Sequence, residues 1–180
     1  MSATLAASET HPTSVPSEPA TSLSLVLGVT RLAMGWTFLW PFLDKTFGLG
    51  HETASADAWV NGGSPTAGFL GHATKGPFSG MYQGFAGQAW ADWLFMVGLL
   101  GIGVALILGV ATRAAAAAGA LLLVLMWTAV LPPENNIFLD DHLIYALILA
   151  ILALTGAGRM LGLGAMWDKL PVVKDHAVLR

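Results

Sequence analysis

The sequence predicts an all-α integral membrane protein: a bundle of four transmembrane helices with a long, partly ordered extracytoplasmic loop between the first and the second. Three observations carry that expectation. The chain is 55% hydrophobic and 11% charged, about half the charge of an ordinary soluble domain. Four apolar runs, near residues 23–43, 92–111, 114–131 and 139–157, approach the ~20 residues a helix needs to cross a ~30 Å hydrocarbon layer. No run shows the alternating pattern of a strand.

Composition also removes functions. Cysteine is absent, which excludes disulfides, thiolate metal sites, iron–sulfur ligation and dithiol relays. The net charge is −3, and the basic residues are scattered with no patch suited to nucleic acid.

Residues 1–22 are rich in Ser, Thr, Ala and Pro and lack apolar periodicity, so they read as a disordered tail. They carry no basic n-region of a secretory signal. The first span, 23–43, holds one charge, Arg31, with Trp36, Trp40 and Pro41 toward its far end and Asp44-Lys45 at its exit to water. The connection over 44–90 is too long for a turn and carries ten glycines among Trp59, Phe69, Phe78, Tyr82 and Phe85. It reads as a folded outer cap with short interfacial helices.

In the second span, Gly101, Ala105 and Gly109 recur every fourth residue, a small-residue ridge for close helix approach. The brief turn at Thr112-Arg113 sends the alanine-rich third span back antiparallel, as a tight hairpin. Residues 132–142 then hold Glu134, Asp140, Asp141, Asn135, Asn136 and His142, a polar island between two apolar runs. The fourth span follows and ends at Gly156 and Gly158, with a tail over 159–180. Arg113, Arg159, Lys169, Lys174 and Arg180 fall on one side and Lys45 and Lys75 on the other. That bias puts both termini in the cytoplasm of a multi-pass protein of the inner (plasma) membrane.

The first span, with Arg31-Leu32-Ala33-Met34-Gly35-Trp36-Thr37-Phe38-Leu39 and then Asp44-Lys45, followed by a glycine-rich outer loop and four spans in about 180 residues, resembles the DoxX/DoxD family. The namesake of that family is the membrane subunit of an archaeal thiosulfate:quinone oxidoreductase. The resemblance covers most of the chain after residue 22 and implies a four-helix bundle with quinone linkage. It does not imply thiosulfate as substrate, and it assigns no residue.

The candidate chemical groups follow from the residues. Arg31, about eight residues into its span, could donate to the carbonyl of a bound quinone (menaquinone or ubiquinone). It could equally be a structural ion pair, or snorkel to the inner headgroups. His142 beside Asp141 could accept the proton released by a quinol, and Tyr145 lies one turn on along the same face. The competing reading makes Asp140 and Asp141 helix caps and His142 an interfacial residue. On the functional reading, His142, Asp141 and Tyr145 are catalytic and Arg31, Trp36 and Asp140 hold the cofactor. Trp36 with Trp40, Trp90, Trp93 and Trp127 reads more simply as an interfacial anchor. A metal held by Glu134, Asp140, Asp141 and His142, with His51 or His72, matches no tight ligand spacing, and no metal is expected. No histidine lies deep in a span, as haem would need.

Two functions remain open. One is a quinone-binding subunit of an oxidoreductase whose partner supplies the redox centre. The other is a non-enzymatic scaffold docking other subunits, or further copies of itself, through its cap and tail. A transporter is disfavoured, since one arginine without an intramembrane acid makes a poor ion pathway.

Overall fold

The computed structural model describes residues 21–179; the predicted tail, apart from Thr21 and Ser22, lies outside them. Among the described residues the regular structure is entirely helical. Helix α1 (Thr21–Phe47) is followed by the cap with its short α2 (Ser79–Gln83), then α3 (Ala89–Leu108), α4 (Thr112–Ala129), α5 (Asp141–Thr155) and the single turns α6 (Gly164–Trp167) and α7 (Pro171–Lys174). Helices α1, α3 and α4 are long and apolar enough to cross a membrane, which makes this a membrane protein; α5, at 15 residues, is shorter.

The four long helices run up and down, α1 against α3, α3 against α4, and α4 against α5. Met34 and Phe38 of α1 meet Met96, Leu99, Ile102 and Leu106 of α3, Leu123 of α4, and Leu149 and Leu152 of α5 in one apolar core. Outward residues such as Val26, Leu94, Leu121 and Leu154 are apolar and exposed, the surface a bilayer requires.

The close helix contact is not the expected ridge. A Cβ on Gly101 would meet nothing within 4 Å, whereas one on Gly103 would stand 2.9 Å from the Leu39 backbone and one on Gly35 3.1 Å from the Gly103 carbonyl. Backbones therefore approach through Gly35 and Gly103, between α1 and α3. Gly109 instead ends α3 at φ +74°, and Ala111 at φ +46° opens α4. That turn is tight, but the α3–α4 hairpin diverges toward the cap. At the far end a groove opens between the two helices, with Phe95, Leu122 and Leu125 among the side chains that line it.

The cap, residues 48–88, is held by buried acids. Helix α1 continues past the expected exit at residue 43, and Asp44 is only 2% exposed. Its carboxylate accepts from the backbone N–H groups of His51 (3.3 Å), Glu52 (3.0 Å) and Thr53 (2.9 Å). Asp92, 7% exposed in the first turn of α3, accepts from the Ser64 hydroxyl, the Thr66 N–H and the Thr66 hydroxyl at 2.9, 3.0 and 2.6 Å. Buried Tyr82 reaches α4 at the Leu125 carbonyl, and the Lys75 N–H donates to the Ala129 carbonyl.

After α5 ends on Gly156 at φ +65°, the chain folds back on the bundle. Gly28 of α1 packs under Leu161, Val173 is buried, and the Trp167 indole donates to the Leu179 carbonyl.

Candidate functional site

Arg31 is fully buried, and its five N–H groups meet five backbone carbonyls. Nε donates to Ala157 (3.1 Å), one terminal nitrogen to Leu106 and Ile107 (2.9 Å to the latter), and the other to Met160 (2.9 Å) and Leu161 (3.0 Å). The acceptors are the C-terminal end of α3 and the chain just beyond α5. Helix C-termini carry orphan carbonyls and the negative end of the helix dipole, and within apolar surroundings those carbonyls need donors. A planar guanidinium with five fixed N–H groups satisfies them without a carboxylate. Arg31 thus makes no ion pair among the described residues and does not snorkel, and its five N–H groups are all taken by carbonyls. The signal lay in glycine-rich breaks at one depth: Gly109, then Gly156-Ala157-Gly158, then Gly162-Leu163-Gly164.

The polar island sits at the opposite end. Asp140 caps α5, one oxygen accepting from the Leu143 N–H at 3.3 Å and the other 2.7 Å from His142 Nδ1. Asp141 lies 3.5 Å from the same nitrogen but points largely to solvent. These three residues form a compact group with ligating atoms within 4.8 Å of one another; His51, His72 and Glu134 do not join it. His51 instead stands edge-on to Trp40, and Glu134 pairs with Lys75. That pairing holds the Glu134 carboxyl below its ordinary range, through the hydrogen bond first and the charge second. Tyr145 packs against the core and makes no hydrogen bond to Asp141 or His142. The Asn136 amide closes a turn within the island, accepting from the Phe138 and Leu139 N–H groups, rather than capping α4. Chemically the site offers an imidazole oriented by a carboxylate, an arrangement suited to proton transfer.

One cavity was not legible in the sequence. It is a groove of about 450 Å³ between α3 and α4 beneath the cap, within the size range of small-molecule sites. Phe69, Phe85, Trp90, Phe95 and Leu121 make its walls almost wholly apolar, with Thr66 and Tyr82 adding the polar edge. None of the six candidates, His142, Asp141, Tyr145, Arg31, Trp36 and Asp140, lines it; Trp36 is half exposed on α1 against Trp40. The structure therefore joins Asp140, Asp141 and His142, and separates them from both Arg31 and the groove. A search of family models, of curated proteins and of solved structures found no match to this chain.

Proposed function

We propose that this chain is a DoxX-like, quinone-binding membrane subunit whose redox partner is a separate protein. The α3–α4 groove carries the reading: an apolar slot facing the bilayer takes a lipid-soluble tail, while Tyr82 and Thr66 stand where a polar head would meet the cap. In this reading α5 supplies a fourth crossing. Its 15 residues rise ~22 Å, and Leu139 at its mouth with local thinning of the bilayer makes up the rest. Both termini are cytoplasmic, in keeping with Arg113, Arg159, Lys169 and Lys174 opposite the cap. The Asp140-His142 pair lies outside the groove and takes no part in binding the head group.

Gly98 lines the groove, and a Cβ there would meet nothing within 4 Å. Gly98→Leu should therefore fill the slot without disturbing the fold, since it also replaces glycine inside a helix. The wild-type protein should retain menaquinone or ubiquinone on lipid extraction and rise in Tm when quinone is added, and Gly98→Leu should lose both effects. His142→Ala should keep them. A wild-type preparation that carries no quinone and shows no quinone-dependent shift sinks the reading. The scaffold alternative would then stand, favoured by Ile137, 96% exposed at the apex of the outer loop beside exposed Phe138.

A further inference from the structure

Two contacts between α1 and α3 set the depth of the chain that follows α5. A Cβ on Gly103 would stand 2.9 Å from the Leu39 backbone nitrogen, and one on Gly35 3.0 Å from that of Ile107, so Leu39 is level with Gly103. Exposed Trp93, with Trp90 beyond it, lies ~15 Å of helix rise from Gly103 toward the cap and marks one membrane interface. An equal step of ~15 Å from Leu39 in the other direction reaches Val29. The two steps together make the ~30 Å of a hydrocarbon layer. Helix α3 has already ended at Leu108, so the layer continues past Arg31 to the level of Gly28. There Leu161 packs on α1, its Cδ1 3.0 Å from where a Cβ on Gly28 would stand.

The irregular backbone at this level is satisfied from within, as that depth demands. The N–H groups of Arg159, Met160 and Leu163 donate to the carbonyls of Gly156, Ala157 and Leu108 at 3.2, 3.1 and 2.8 Å, while the carbonyls of Ala157, Met160 and Leu161 accept from Arg31. Beyond it the tail has two sides. Gly164 and Val173 are buried, whereas Leu161, Leu163, Met166 (68%), Leu170 and Val172 (65%) are exposed. The neighbouring turns of α1 are likewise apolar and open at Leu23, Leu25, Val26 and Val29. The tail thus continues the lipid-facing surface of α1 at the level where hydrocarbon gives way to headgroups. Charge does not seat it there, because Arg159, Lys169 and Lys174 are largely offset by Asp168 and Asp175.

We propose that residues 160–178 form an interfacial platform in the bilayer leaflet opposite the cap, with Leu161, Leu163, Met166, Leu170 and Val172 set into the boundary between headgroups and acyl chains. Short amphipathic segments bind such a boundary through the apolar area they bury ~5–10 Å into it. The platform closes the bundle below Arg31, where α3 and α5 stop short and α1 runs on alone. The inference does not rest on quinone binding.

The chain has no cysteine, so a single substitution gives a unique site for a fluorophore. Met166→Cys and Val172→Cys report the tail, Val97→Cys on the outward face of α3 reports lipid, and Asp57→Cys in the cap reports water; all four positions are exposed. In phosphatidylcholine nanodiscs the two tail labels should lose fluorescence to a nitroxide carried on the acyl chain near the glycerol, as the label at position 97 does. They should keep it in iodide, where the label at position 57 loses it. Loss to iodide with none to nitroxide would put the tail in water and overturn the proposal. Protection from both quenchers would mean that protein, a second copy of this chain included, covers the face, and would overturn it equally.

Discussion

The two ends of the bundle solve one problem with opposite charges. Where α3 and α5 finish, the surplus backbone groups are carbonyls, and a single buried cation, Arg31, collects five of them. At the cap end the chain leaving α1 turns its N–H groups inward, and a buried anion, Asp44, collects three. Asp92 does the same for the Ser64–Thr66 turn. In neither place does the charge need a charged partner. Peptide dipoles from irregular segments solvate it, and it in turn fixes those segments. A lone charge in an apolar helix can therefore mark where non-helical backbone docks.

The largest effect expected from breaking this symmetry is at Arg31. Arg31→Met strands several buried carbonyls at ~1–3 kcal/mol each, so a loss of at least ~3 kcal/mol, read as thermal unfolding in mild detergent, should follow. Arg31→Lys should rescue little of it, since three donors on a point charge cannot span two chain segments. Normal stability with lost quinone retention would instead return Arg31 to the ligand site.

Asp44→Ala should cost less, ~1–3 kcal/mol, because the three N–H groups it releases are only partly buried and lie beside the cap's surface. Limited proteolysis should show new cleavage near residues 48–53 while the helices stay protected; an unchanged digest would mean that the cap is held elsewhere.

The smallest effect is at the exposed Lys75–Glu134 pair between the cap and the loop that joins α4 to α5. The Glu134 carboxyl is lowered in the folded protein, so its contribution is present above the ordinary glutamate range and fades as pH falls through the lower folded value. The protection factor for hydrogen exchange at the Lys75 amide, corrected for the intrinsic rate at each pH, should fall in that acidic window in the wild type. In Glu134→Gln that fall should vanish, and its persistence would assign the acid sensitivity to another group.

Much of the architecture was legible residue by residue. The apolar runs marked α1, α3 and α4, Gly156 marked the end of α5, and Asp140 beside a hydrophobic run marked its cap, because each of these depends on neighbours within a turn or two. The candidate site was legible only as a cluster. Asp140, Asp141 and His142 adjoin in sequence and so adjoin in space, whereas adding Tyr145, Arg31 and Trp36 required contacts that periodicity does not specify. The small-residue ridge failed for the same reason: spacing gives a face of a helix, not which neighbour meets it.

By itself, then, the sequence determined a helical membrane chain free of thiol chemistry, with glycine breaks, a polar island and one buried-looking arginine, since composition and local periodicity are properties of the chain alone. Tertiary structure decided which carbonyls fill the donors of Arg31, which acids hold the cap, that Gly35 and Gly103 rather than Gly101 bring helices together, and that α3 and α4 part around a groove. Each of those is set by groups that meet from distant stretches of sequence, where packing and the need to satisfy buried polar atoms choose the partner.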